Sequence, residues 1–191
     1  GEPQFLAGVQ QYLAAHAWAN STFADLLTAL TEASGRELSE FSEQWLETCG
    51  VNLIRPSFEV DDQGQFTRFE VLQSAVEEYR ILRTHRLAIG LYDLTDDGLM
   101  ARDSIEVDIG GERTPVEALI GIQRPDLVLL NDRDLSYVKV RLDPGSLRTV
   151  HGHLAELRDP LARAVVWTIL WDTWRDGELS SADYLGVVLA G

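Results

Sequence analysis

The chain has 191 residues, 31 acidic against 16 basic side chains and a formal charge of −15, enough for one large domain or two small ones with a real core. A field of that sign repels a phosphate backbone, which argues against nucleic acid as a partner. A single cysteine, Cys49, rules out an intrachain disulfide or a thiolate zinc cluster and suits a reducing, cytoplasmic setting, and no apolar run approaches the ~20 residues that span a bilayer.

From Pro3 to Cys49 the apolar spacing is helical. Phe5, Val9, Tyr12, Leu13 and His16 share one face. Asn20, Ser21 or Thr22 can cap a second helix carrying Phe23, Leu26, Leu27 and Leu30, with Gly35 as its left-handed stop. A third stripe runs through Leu38, Phe41, Trp45, Leu46 and Cys49 and closes at Gly50.

From Val51 to about Leu142 the period changes to two. "FEVDDQGQFTRFEV" reads as a hairpin around Asp61-Asp62-Gln63-Gly64. "RLAIGLYDL", "SIEVDI", "RTPVEALI", "DLVLL" and "YVKVRL" follow, separated by Gly110-Gly111 and by the turn-like Asn131-Asp132-Arg133-Asp134. About seven short alternating strands predict an antiparallel sandwich rather than a doubly wound parallel sheet.

Helix returns from Ser146. Asp159 is a good N-cap and Pro160 sits at the first helical position, where its missing N–H costs nothing. This helix is expected to run to about Arg175 and stop at Gly177, with another beginning at Ser180 or Ser181. Leu161, Ala164, Val165, Val166, Trp167, Ile169, Leu170, Trp171 and Trp174 make it apolar nearly all round, so it is expected to be buried on most sides and to drive self-association if left uncovered. The fold class is therefore multidomain α and β: a helical segment, an antiparallel β-sandwich, then the start of an α-helical domain. The chain starts "GEPQFL" without Met and stops just after the apolar "YLGVVLAG", so both ends read as cuts.

The chemistry-bearing residues do not assemble into a motif. His151 and His153, in "HGH", could both reach one ion from an irregular stretch, but zinc needs at least three protein ligands. His16 and His85 lie in other segments and no His-Glu-x-x-His occurs. The pair is expected to be solvent-facing in a linker. Asp61-Asp62, Asp96-Asp97 and Asp132 with Asp134 sit in turns, where aspartate satisfies local backbone donors. "DLTDDG" has a faint calcium-loop look, but Glu106 is out of register with Asp93 for the twelfth-position ligand. There is no nucleophile elbow or phosphate loop, and Cys49 is expected to be inert on an apolar helix face. Trp167, Trp171 and Trp174 repeat at helical spacing, the mark of a core stripe. No catalytic, cofactor-binding or metal-binding residue is assigned.

Three ordered blocks nevertheless carry a resemblance. "HAWANSTFADLLTALTEASGRELSEFSEQWL", "LNDRDLSYVKVRLD" and "DPLARAVVWTILWD" together resemble the C-terminal portion of aminopeptidase N, of the zinc-dependent gluzincin aminopeptidases, most closely the actinobacterial type. The likeness runs from about Tyr12 to Leu189. It implies that residues 1–50 are the C-terminal helices of a thermolysin-like catalytic domain, 51–145 a β-sandwich domain and 146–191 the first helices of a C-terminal α-helical domain. It further implies a parent hydrolase, a metalloprotease in which zinc-bound water attacks peptides at their N-terminal residue. The family's His-Glu-x-x-His, Gly-x-Met-Glu-Asn and catalytic Tyr have no counterpart in these residues, so the implied role of the chain itself is architectural and without zinc. An independent interaction module built on a sandwich is the alternative, and a metal enzyme built on His151 and His153 a third reading.

Overall fold

The computed structural model describes residues 1–190, which form two compact units, residues 1–49 and residues 50 onward.

The first unit holds α1 (Glu2–Ala15), α2 (Phe23–Ser34) and α3 (Ser39–Trp45). Thr22 caps α2 in a full capping box: the Asp25 N–H donates to Thr22 Oγ1 at 3.3 Å, and the Thr22 N–H donates to Asp25 Oδ2 at 2.7 Å. Gly35 ends the helix at φ +64°. The third helix stops at Trp45, one turn short of the predicted Cys49. Cys49 is therefore not on a helix face, and it is exposed. Few side chains are buried here: within the three helices only Gly8 and Ser42 are, whereas Phe5, Leu6, Leu13, Phe23 and Phe41 are exposed.

The second unit opens with the predicted hairpin, β1 (Leu53–Val60) and β2 (Phe66–Ser74). Its turn is built by Asp61, whose Oδ1 accepts the N–H groups of Gln63 and Gln65. Then come β3 (His85–Thr95), β4 (Gly98–Ile109), β5 (Arg113–Pro115), β6 (Leu127–Leu130) and β7 (Lys139–Val140). Two sheets result, β5-β2-β1-β7 and β4-β3-β6. Pairing is antiparallel except between β1 and β7, which run parallel over two residues. Phe58, Phe66 and Phe69 of the β1–β2 hairpin lock together with ring centroids 5.1–5.6 Å apart. Two segments depart from the strand reading. "VEALI" is a 3₁₀ turn over Glu117–Leu119, and "YVKVRL" yields only the two residues of β7.

Helices α4 (Pro144–His153), α5 (Pro160–Arg175) and α6 (Ser181–Ala190) complete the unit. They share one core with the sandwich: Val150, Leu154, Leu157, Val166, Leu170 and Val187 belong to the same buried cluster as Ile89, Leu91 and Leu129. This explains why β3 and β6 do not alternate. Leu87 to Tyr92 and Leu127 to Leu130 are buried on successive residues, because both strands lie in one cluster with the terminal helices, α4 packing on β6. The long outer strand β4 keeps charged side chains, Arg102, Asp103, Glu106 and Asp108, along its length. Such residues discourage edge-to-edge pairing.

Candidate functional site

His151 and His153 lie in the last turn of α4, a helix that starts two residues earlier than the predicted Ser146 because Asp143 caps it and Pro144 occupies its first position. The linker reading is thus corrected. On a helix, residues two apart diverge by about 200°. His153 Nδ1 meets Glu156 Oε1 at 3.0 Å, while His151 Nε2 abuts α6, where a Cβ on Gly186 would sit 2.9 Å from it. The two rings cannot share an ion. Among the described residues no group of three His, Cys, Asp or Glu side chains could hold a metal, so the donor set here does not fit a zinc site.

The acidic pairs divide. Asp61 and Asp62 occupy the β1–β2 turn, and Asp96-Asp97 form the two-residue turn between β3 and β4, which disposes of the calcium-loop likeness. Asp132 behaves differently. It is buried, with 9% of its surface exposed, and Tyr92 donates its hydroxyl to Oδ1 at 2.5 Å. Burial, with the Asp159 charge added, pushes the Asp132 carboxyl above its usual range against the pull of Tyr92, and burial together with the bond to Asp132 pushes the Tyr92 phenol up. Gly90 makes the space: a Cβ there would fall 2.6 Å from Asp132 Cγ and 2.7 Å from Tyr92 Cε2.

A second buried cluster closes the 131–138 turn from the other side. His85 donates from Nε2 to Asn52 Oδ1 at 3.2 Å and accepts the Ser136 hydroxyl at Nδ1, 2.7 Å away. Asn52 Oδ1 can only accept, so the network assigns the proton to Nε2. Burial first, then the Arg83 charge, pushes the His85 imidazole down from 6.5 to about 4. Asn131 grips Ser136 at both ends, accepting its N–H at 3.1 Å and donating to its carbonyl at 2.9 Å.

The third cluster joins sandwich to helices. Arg141, 5% exposed, follows β7 and donates to Asp176 Oδ2 at 2.5 Å and to Glu178 Oε1 at 3.0 Å. Asp176 is the C-cap of α5 and also takes Lys139 Nζ at 2.8 Å; Lys139 and then Arg141 hold its carboxyl below the usual range. At the other end, Asp143 receives the N–H groups of Gly145 and Ser146, the Ser146 hydroxyl and Arg124, while Ser146 Oγ accepts the Val128 N–H at 2.9 Å. The first turn of α4 is thereby bolted to β6. The predicted tryptophan stripe is half realised. Trp174 stacks on Tyr184 at 5.5 Å and donates to Ser181, but Trp171 remains 45% exposed. These polar clusters were not found from sequence. Their only trace is composition: Asp132 and Asn131 directly after an all-apolar strand, and a histidine at the head of β3.

These arrangements tie neighbouring elements together through side chains, Tyr92 to Asp132, His85 to Asn52 and Ser136, and Arg141 to Asp176 and Glu178. The comparisons with known proteins match this chain to part of longer proteins. The ERAP1-like C-terminal domain model matches residues 127–191. Aminopeptidase N of Streptomyces lividans is 47% identical over 198 aligned residues, covering 100% of this chain and 23% of that protein. Aminopeptidase N of Lactococcus lactis subsp. lactis is 39% identical over 62 residues, 32% of this chain and 7% of that protein. Legionella pneumophila aminopeptidase A, solved in complex with aspartic acid, matches with a TM-score of 0.61 at 16% identity, over 100% of this chain and 22% of that one, which shows a shared fold. The chain thus spans about a quarter of the length of the Streptomyces relative. Identity of that degree along its whole length makes the chain aminopeptidase N-like, the C-terminal portion of such a protein.

Proposed function

We propose that the chain is the architectural, non-catalytic C-terminal part of a zinc-dependent aminopeptidase that removes N-terminal residues from peptides in the cytoplasm. The observation that carries the reading is the 47% identity to an aminopeptidase N along the full chain. On this reading residues 1–50 are the last helices of the catalytic domain, 51–145 the sandwich domain and 146–191 the opening helices of the terminal domain. The small number of buried side chains in the first three helices supports a piece cut from a larger core. The Arg141 clamp and the shared apolar cluster support a sandwich that carries the terminal helices as a stiff bracket. Zinc and the groups that use it lie outside these residues, and peptide substrates belong to the parent.

Taken alone, the chain self-associates through the outward side of the 160–175 helix, where Trp171 is exposed, with Leu185, Val188 and Leu189 of α6 exposed as well. No helix among the described residues is long and apolar enough to cross a membrane. The test is direct. The purified chain is assayed for zinc per chain and for release of chromophore from an aminoacyl nitroanilide, and both are expected at the level of the buffer blank; turnover above the blank overturns the proposal. Light scattering across a concentration series is expected to show a rising mass, and a monomer at high concentration removes the self-association.

A further inference from the structure

We propose that the groove between the 131–138 turn and α5 is a docking site for an amphipathic helix carrying basic residues. Asn131 and Asp134 form one wall, and Leu161, Ala164, Thr168 and Asp172 line the other, around a hollow of about 120 Å³. The α5 residues recur at i, i+3, i+7 and i+11, a straight stripe along the helix. Leu161 is 45% exposed, and Ala164 and Thr168 are exposed too, so the stripe is open. It borders the buried face of α5, from which Val165 and Ile169 form the floor of the hollow, while Ala162, Val166, Leu170 and Thr173 point farther away.

The shape favours a helix. The α5 backbone satisfies its own hydrogen bonds, so that wall can be contacted only by side chains, and a ridge of side chains set into such a stripe is how helices pack. Charge selects its sign. Asp134 and Asp172 have no ion pair among the described residues, whereas Arg133, next to Asp134, is engaged by Glu106. A cationic residue on the incoming helix would find two carboxylates flanking an apolar floor, in a chain of charge −15.

The turn wall is stiff before anything binds. Asn131 and Asp134 hold φ of +59° and +51°, a left-handed region that asparagine and aspartate tolerate better than other side chains and that fixes the course of the turn. Tyr92 on Asp132, His85 on Ser136 and Asn131 on Ser136 hold the turn in place. A preformed wall reduces the ordering cost of association. This inference rests on residues 131–172 alone and stands whether or not the parent is an aminopeptidase.

The probe is a dye-labelled synthetic helix of leucine, alanine and lysine, with a counterpart in which every lysine is glutamate. Fluorescence anisotropy against the intact chain is expected to saturate with the lysine peptide and not with the glutamate peptide. Leu161→Ser and Asp172→Lys are each expected to weaken binding at least tenfold, while Leu189→Ser on α6 leaves it unchanged; circular dichroism checks that each variant is folded. If a variant fails to fold, amide shifts of the unmodified chain on titration with the lysine peptide are read instead, and must centre on residues 134, 161, 164, 168 and 172. Equal affinity for both peptides, loss in Leu189→Ser, shifts centred elsewhere or no saturation overturns the proposal. So does a dimer that Leu161→Ser converts to monomer and that the lysine peptide fails to displace, which would assign the groove to a second copy.

Discussion

Arg141, two residues past the start of the shortest strand, reaches Asp176 at the C-cap of α5 with Nη2 and Oδ2 2.5 Å apart. The same guanidinium takes Glu178, and Lys139 takes the other side of Asp176. A strand of two residues contributes little by its ladder alone. The ionic clamp makes β7 the connection by which the sandwich fixes where α5 ends and α6 begins.

Removing the clamp separates its members by burial. Arg141→Met keeps the aliphatic stem but strips the charge, leaving Asp176 and Glu178, 32% and 42% exposed, to turn toward water. Their exposure places the loss near the low end for charged hydrogen bonds, about 2 kcal/mol. Lys139→Met removes a pair whose side chains are 33% and 32% exposed, worth less than about 1 kcal/mol. Urea midpoints at constant slope should fall further for Arg141→Met; the opposite order contradicts the clamp.

Acid should act through His85. Its folded pKa of about 4 lies below the ordinary 6.5, so between those values the unfolded chain holds the extra proton and stability rises with pH. The contribution is whole above 6.5 and is lost as pH falls toward 4, at about 1.4 kcal/mol per pH unit and about 3 kcal/mol in all. Asp132 opposes it: its raised carboxyl favours the folded chain when protonated, a contribution lost as pH rises from 3.8. Comparing the unmodified chain with His85→Asn cancels that opposing term. Unfolding free energies of the two should converge from pH 7 to pH 4; parallel curves would refute the role of His85.

Legibility followed locality. The Thr22 box, the Gly35 stop, the Asp61 turn and the Asp159-Pro160 start all depend on a few adjacent residues, and each appears where the sequence places it. The α4 start carries the same aspartate-proline signal at Asp143-Pro144, two residues before the expected Ser146. Alternation failed for β3 and β6 because both strands are buried in one cluster with the terminal helices, far along the chain, α4 packing on β6. For α5 the pattern overstated burial. Its 16 residues bury one face, and Leu161 and Trp171 are each left 45% exposed. Asp132 looked like any turn acid, because nothing local reveals that Gly90, across the sheet, opens a space for its carboxylate.

That space gives the sharpest test of the buried acid. Gly90→Ala puts a methyl 2.6 Å from Asp132 Cγ and 2.7 Å from Tyr92 Cε2, and neither group is free to retreat while the Tyr92–Asp132 bond holds. Overpacking of this kind costs about 1–3 kcal/mol. Asp132→Ala alone leaves the buried Tyr92 hydroxyl without its acceptor, again about 1–3 kcal/mol. In the double variant the carboxylate that blocks the methyl is gone and Tyr92 has room to shift. The two losses should therefore sum to less than their separate values, with a coupling above about 0.5 kcal/mol. Strict additivity in denaturant unfolding would mean that Gly90 is required for some reason other than Asp132.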